Sequence, residues 1–368
     1  MAVTNRDFHS AVRNKKDEFY TQLGDIEKEM KYYREYLKDK IVLCNCDDPF
    51  ESNFFKFFAM NFNSLGLKKL ITTCYATSPV TGSEFDYFLC ANQQFSLLPE
   101  KSSIPVNNRK RPYRVEITEI KDENGDGRID LADVEYLLKN KKNTLMLLEG
   151  DGDFRSSECI EFLKQADVVI TNPPFSLFRE YVSQLIKFNK DFIIIGNQNS
   201  ITYKEILPLI VSGKIWYGAS IHSHGRDFRV PEDYPLRAYE YRTDEKGYKY
   251  INVKGVRWFT NVDYEQRHEE MILYKKYDPA QYPKYDNYDA IEVGKTADIP
   301  SDYYGLMGVP ITYLDKYNQD QFEILGIDKD FSTDKSRFKL NGKTLYARLV
   351  IRRKVTEDEN QTARNSNP

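Results

Sequence analysis

The stretch DVVITNPPFSLF (167–178) decides how the rest of the chain is read. Its first half, DVVIT, is an apolar, β-branched run of strand length. It ends in Asn172 and two prolines, which can neither donate to a sheet ladder nor sit inside a helix. After Phe175 the segment SLFREYVSQLIKF takes up helical spacing. A buried strand therefore leaves through a stiff extended turn that carries an amide, two prolines and an aromatic ring, and passes into a helix.

Working outward, KIVLCNC (40–46), KKLITTCYA (68–76), NTLMLLEGD (143–151) and DFIIIGN (191–197) are further apolar runs of strand length. DIEKEMKYYREYLKD (25–39), NFFKFFAMNF (53–62) and ITYKEILPLIVSG (201–213) read as helices. KIWYGA (214–219) and GVRWFTNV (255–262) are two more strands that close the sheet. Apolar strands alternating with helices predict an α/β fold: a doubly wound, mostly parallel, seven-stranded sheet. Ligands of such sheets bind at the carboxyl ends of the strands, where NPPF falls. From about residue 266 the texture turns Tyr-rich and loop-rich, ending in RFKLNGKTLYARLVIRRK with Asn341-Gly342 as a hairpin turn. The expected division is a catalytic domain over 1–265, a separate region over 266–354 and a polar, disordered tail over 355–368.

Composition excludes several classes. The chain has 368 residues, 30% of them charged, with a mean hydropathy of -0.63. No apolar run approaches the roughly 20 residues of a membrane helix, and MAVTNRDFHSAVRNKKDEFYTQ has no apolar signal segment. Five cysteines form neither an even disulfide framework nor a CxxC pair. The expectation is a cytoplasmic protein with reduced thiols and no membrane association. The net charge of -3 argues neither for nor against nucleic acid, but Lys335 to Lys354 contains eight basic and no acidic residues. Taken alone it reads as a solvated face, with a phosphate-binding face as the sharper alternative.

The NPPF turn suits one kind of chemistry. An exocyclic amine conjugated with an aromatic ring is a poor nucleophile, and hydrogen bonds from both of its N–H groups to fixed acceptors make its lone pair more available. The Asn172 side-chain oxygen is one such acceptor and the Pro173 carbonyl another. Pro173 and Pro174 stiffen the backbone that aims them. Phe175 supplies a face for a base to stack on. The bland alternative is a Pro-Pro connection with Asn172 as a turn residue.

With these residues the chain resembles the S-adenosylmethionine-dependent amino-methyltransferases of DNA, and among them the EcoRI-type adenine-specific enzymes, over roughly residues 14 to 352. KKDEFYTQ (15–22) resembles the family's N-terminal cofactor motif, which implies that Phe19, Tyr20 and Thr21 lie near the methyl donor. CDDPFESNFF (46–55) resembles the motif after the first strand: Asp48 and Pro49 are kept, but the usual glycines are replaced by Glu51, Ser52 and Asn53. Ser52 or Asn53 would then hydrogen-bond the cofactor in place of a close backbone approach. EGDGDFRS (149–156) resembles the motif whose acidic and aromatic residues hold the cofactor's adenine, implying Asp153 and Phe154. For Asp151 and Asp153 a plain Gly-Asp turn is the alternative. The resemblance implies S-adenosyl-L-methionine as cofactor, double-stranded DNA as partner, and a C-terminal target-recognition region over 266–354. It also raises a cognate restriction enzyme as partner.

Two motifs compete for attention. DENGDGRIDLAD (122–133) matches a calcium loop at Asp122, Asn124, Asp126 and Arg128, with Asp133 where a bidentate Glu is usual. PYRVEITEI before it reads as a strand instead of an entering helix, so a carboxylate-rich hairpin is the alternative. His222 and His224 lack a third ligand and read as a loop near the active site.

The expected function is transfer of a methyl group to the N6 amino group of adenine in duplex DNA, by base flipping. Methylation of cytosine N4, an RNA adenine or a protein glutamine is the alternative within the same architecture. A catalytically silent DNA-binding module is the alternative outside it.

Overall fold

A computed structural model of the protein describes residues 20–46, 52–74, 112–123, 125–140, 145–220, 225–230 and 241–355, apart from the side chains of 139 and 140. Phe19, Asp48, Pro49, Asn124, His222, His224 and the tail beyond 355 lie outside the described residues. The chain divides into two compact units: Met1–Asn197 with His222–Val262, and Gln198–Ile221 with Asp263–Pro368.

In chain order, the first unit holds β1 (Tyr20–Thr21), α1 (Leu23–Met30), β2 (Ile41–Cys44), α2 (Asn53–Met60), β3 (Lys69–Thr73) and β4 (Tyr113–Ile117). There follow α3 (Leu131–Asn140), β5 (Leu145–Leu147), α4 (Ser157–Gln165), β6 (Val168–Thr171), α5 (Phe178–Lys187) and β7 (Asp191–Asn197). A two-residue strand of the second unit, β8 (Trp216–Tyr217), intervenes before β9 (Arg226–Val230), β10 (Arg242–Thr243), β11 (Lys249–Val253) and β12 (Val256–Thr260).

The largest sheet has the order β5-β4-β3-β2-β6-β7-β12 within the first unit. Only its centre is parallel: β2 pairs in parallel with β3 and β6, and β6 with β7. β4 runs antiparallel to β3, β5 to β4, and β12 to β7. The expectation of a mostly parallel, seven-stranded sheet is therefore corrected: in the first unit the sheet is mixed, parallel at its centre and antiparallel on both sides. The physical reason lies in the burial patterns. In β2, β6 and β7 the consecutive residues Val42 to Cys44, Val168 to Ile170 and Phe192 to Ile195 are all fully buried, as a strand covered on both faces requires. β4 alternates buried and half-buried positions, and β5 has no buried residue at all. The run 143–151 thus forms a three-residue outer strand, and PYRVEITEI is the strand that separates it from β3. Helices pack on the parallel centre: α2 against β3, α4 against β2 and α5 against β7.

A second sheet of the first unit, with order β1-β9-β11-β10, was not legible beforehand. It is antiparallel throughout, and β1 pairs with β9 through Tyr20↔Arg229 and Thr21↔Phe228.

The second unit is built on a five-stranded sheet, β13-β14-β15-β19-β16, of Lys284–Tyr285, Tyr288–Glu292, Met307–Pro310, Arg348–Arg353 and Phe322–Ile327. The turn expected at Asn341-Gly342 joins β17 (Lys339–Leu340) to β18 (Lys343–Thr344) in an antiparallel hairpin. Both turn residues have positive φ, 51° and 74°, the combination a tight hairpin turn demands. Of the helix expected over 201–213, only Leu207–Val211 is α-helical, with Pro208 in its first turn. It packs against β16. Among the described residues no helix is long and apolar enough to cross a membrane.

Candidate active site

β6 is one of the two innermost parallel strands, and Asn172 follows its last residue with 6% of its surface exposed. Pro173 is buried and Pro174 half-buried, with Pro174 extended at φ -53°, ψ 126°. The turn closes when the Leu177 N–H donates to the Pro174 carbonyl at 3.0 Å. Among the described residues, none donates to the Pro173 carbonyl. Phe175 begins a single 3₁₀ turn and is buried, with 7% exposed.

What sets the turn's position is Phe178, the first residue of α5. Its ring packs edge-on against Phe259 of β12, 4.9 Å between centroids. It also lies so close to Gly196 of β7 that a Cβ there would stand 2.4 Å from the ring. Only glycine admits this approach, so α5 is seated on the sheet at its very start and the NPPF turn is held from its far end.

The strand β1 carries Tyr20 and Thr21 to the start of α2. Asn53 Nδ2 donates to the Thr21 carbonyl at 2.7 Å, while β9 pairs with β1 from the other side. The Thr21 hydroxyl is buried and without a hydrogen-bond partner among the described residues. Ser52 is the N-cap of α2, its hydroxyl accepting from Phe54 N–H at 3.0 Å. Two of the three residues that replace the usual glycines, Ser52 and Asn53, thus secure the helix start and the strand β1.

In the loop 149–156, Gly152 has φ +77°, and a Cβ on it would fall 2.1 Å from the carbonyl oxygen of Cys74, just beyond β3. The loop therefore runs directly over the end of β3. Asp153 is gripped by Arg155: Oδ1 accepts from Nε at 2.9 Å and Oδ2 from Nη2 at 2.7 Å. Those bonds hold the Asp153 carboxyl below the usual carboxylate range. Arg155 also donates to Glu180 of α5 at 2.8 Å. Phe154 is buried edge-on against Tyr181 of α5, centroids 5.0 Å apart, and its carbonyl accepts from Gln184 Nε2 at 2.9 Å. The Tyr181 hydroxyl in turn donates to Asn45 Oδ1, just past β2.

The structure thus joins three segments of the first unit, the end of β2, the loop 149–156 and the NPPF turn with α5, and separately ties β1 to the start of α2. Sequence reasoning missed Asn45, Tyr181 and Arg226. Arg226 is 1% exposed; its guanidinium lies 5.4 Å over the Trp258 ring, and its Nη1 is 3.6 Å from Asp25 Oδ2 of α1. Burial pushes its pKa down to about 10, against the pull of Asp25 and Glu29, so it stays charged at neutral pH. An arginine at an inward position of the alternating strand RDFRV was the available signal.

Outside this cluster, Asp122 accepts from the Gly125 and Gly127 N–H groups, both at 2.7 Å, and Asp133 from Glu123 and Asp130 N–H, both at 2.9 Å. Among the described residues no group of three or more His, Cys, Asp or Glu side chains is arranged to hold a metal. Four of the eight basic residues of the run in the second unit are neutralised by acids of that unit. Arg337 meets the buried Asp328 at 3.1 Å, Lys339 meets Asp334 at 2.6 Å, Arg348 meets Glu292 at 2.7 Å and Arg352 meets Glu323 at 2.8 Å. Lys335, Lys343 and Lys354 meet no acid among the described residues, and Tyr346 is 91% exposed.

A mixed α/β sheet with a parallel centre, carrying Asn-Pro-Pro-Phe at the end of a central strand, fits a methyltransferase that acts on an amino group. The comparisons define it further. The chain belongs to the family described as adenine-specific methyltransferase EcoRI, whose profile matches residues 7–366, and it is an adenine-specific DNA methyltransferase. It is 46% identical to the type II methyltransferase M.EcoRI of Escherichia coli, over 96% of this chain and 98% of that protein. It is 33% identical to M.MgeORF184P of Mycoplasma genitalium, over 94% and 98% of the two chains, and 33% identical to M.MpnI of Mycoplasma pneumoniae, over 86% and 84%. No solved structure matches.

Proposed function

We propose that the protein transfers the methyl group of S-adenosylmethionine to N6 of an adenine flipped out of double-stranded DNA, with Asn172 and Pro173 as the two acceptors for its amino group. The observation that carries this reading is Asn172 itself: a buried amide at the carboxyl end of a central parallel strand, followed by a rigid Pro-Pro turn whose first carbonyl takes no donor from the described residues. Both N–H bonds of the adenine amine point to these oxygens, which favours a more tetrahedral nitrogen whose lone pair is less conjugated with the ring. Pro174 keeps the two acceptors at fixed separation, so little reorganisation is needed as charge develops on nitrogen. Phe175, held in the same turn, stacks on the base. The proton lost after transfer leaves to solvent, since a methylated, cationic nitrogen is a strong acid.

The residues present suit the methyl donor. Three features support this: the buried Thr21 hydroxyl, without a hydrogen-bond partner among the described residues, the capped N-terminus of α2, and the close approach of Gly152 to the end of β3. Tyr20, Thr21, Ser52 and Phe154 are the residues assigned to the cofactor, with Phe19, Asp48 and Pro49 flanking them in sequence. Asp153 serves through Arg155, by holding the loop. When bound, the cofactor supplies an electrophilic methyl on a sulfonium sulfur. The second unit takes the role of target recognition, and a restriction enzyme of the same specificity is the natural counterpart.

The test is Asn172→Ala, with transfer of tritiated methyl groups to DNA and the binding of S-adenosylhomocysteine measured side by side. Transfer is expected to fall by at least about a hundredfold with cofactor affinity nearly unchanged. Loss of cofactor binding would assign Asn172 to the fold. Label entering RNA or protein and not DNA would overturn the substrate assignment.

A further inference from the structure

The first strand's motif lacks the glycines that normally bring backbone N–H groups against the cofactor, so some other donor must serve there. We infer that Asn45, oriented by Tyr181, is a cofactor-binding residue whose side-chain NH2 donates to an oxygen acceptor of the cofactor; this rests on the use of S-adenosylmethionine proposed above.

Asn45 directly follows β2, whose neighbours on both sides are parallel, so it stands where ligands of such sheets bind. Only 4% of it is exposed. Its Oδ1 accepts from the Tyr181 hydroxyl and, more weakly, from the Cys46 thiol at 3.8 Å. With two donors on the oxygen, the amide cannot turn over, and the two N–H bonds of Nδ2 are what it has left to offer. No described residue accepts from them. Nδ2 is not among the fully buried atoms that lack a partner, so it keeps an opening through which an oxygen brought by a ligand can accept from it.

Tyr181 is itself held fast. It is buried, its ring packs on Phe154, and one turn further along α5 Gln184 binds the Phe154 carbonyl. One helix therefore orients a donor at the end of β2 and anchors the loop 149–156, while its own start is the NPPF turn. Tyr181 is in this sense a positioning residue, acting through Asn45.

The acceptor is either a ribose hydroxyl oxygen or the carboxylate of the methionine moiety, and two ligands separate them: S-adenosylhomocysteine carries both, methylthioadenosine only the ribose. Titration calorimetry on the full chain, wild type, Asn45→Asp and Tyr181→Phe, gives the dissociation constants. Asn45→Asp keeps an acceptor for Tyr181 but removes the donor. It is expected to weaken S-adenosylhomocysteine by tenfold or more without lowering the melting temperature. Tyr181→Phe keeps the ring and should weaken it several-fold. If methylthioadenosine is weakened equally, Asn45 meets the ribose; if it is spared, Asn45 meets the carboxylate. Unchanged affinity for both ligands in Asn45→Asp would overturn the inference. Failure of the wild type to bind either ligand would instead overturn the cofactor reading on which it rests.

Discussion

Asp153 and Arg226 show how single residues work here through charge. The Asp153 carboxylate is held below its ordinary pKa by Arg155, so the pair's contribution is complete above the usual carboxylate range near pH 4. It is lost only as the pH falls through the lowered value. S-adenosylhomocysteine affinity is therefore expected to stay level from pH 7 down to about 5. Arg155→Ala should shift the acid limb upward, which titration calorimetry at a series of pH values will record. Arg226 works by attraction in a buried place: with Asp25 and Glu29 beside it, removing the cation strands two carboxylates in a poorly solvated site. Arg226→Ala is expected to cost about 3–5 kcal/mol in urea unfolding. Arg226→Lys, which keeps a charge but loses the guanidinium over the Trp258 ring, should cost less.

Elements meet at glycines and ion pairs that leave no room for substitution. Gly152→Ala would place a methyl 2.1 Å from the Cys74 carbonyl oxygen at a positive φ, so the loop must lift from the end of β3. The expected result is cofactor affinity reduced by tenfold or more with the melting temperature little changed, because the loop and not the core gives way. In the second unit, Arg348 and Glu292 are both nearly buried, their side chains 12% and 11% exposed. Arg348→Ala should destabilise the protein by about 3–5 kcal/mol. Lys343→Ala, at the exposed hairpin, should leave stability alone and lower the slope of DNA affinity against salt by about one. Equal effects of the two substitutions on DNA affinity would contradict this division of labour within one basic run.

At the level of the whole molecule the two units interleave along the chain, since Gln198–Ile221 belongs with Asp263–Pro368. Helix Leu207–Val211 packs against β16, and Ile201, Ile206, Ile210 and Ile215 are buried in this segment. A chain ended after residue 265 keeps those isoleucines but loses the strand that the helix packs against. It is expected to be poorly soluble and to bind a hydrophobic dye, as monitored by size-exclusion chromatography and dye fluorescence. A well-folded, monomeric product that binds S-adenosylhomocysteine normally would refute the interleaving.

The parallel centre of the sheet and the NPPF turn were legible in the sequence because they follow from local rules. Continuous apolar runs such as VVI and FIII need cover on both faces, and two prolines dictate their own backbone. The Asn341-Gly342 hairpin was legible for the same reason. What only the tertiary structure decided depends on residues far apart in the chain. The order of β4 and β5 turned on strands exposed on one face, whose alternation says little about neighbours. The pairing of β1 with β9 joins Thr21 to Phe228. A run of eight basic residues without an acid was neutralised in part by Glu292, Glu323, Asp328 and Asp334. Asn45 and Tyr181 stand 136 residues apart and had no local signature. Backbone stiffness and hydrophobic period are properties of neighbouring residues, and so can be read from sequence. Hydrogen-bond and charge complementarity are properties of pairs that the fold alone brings together.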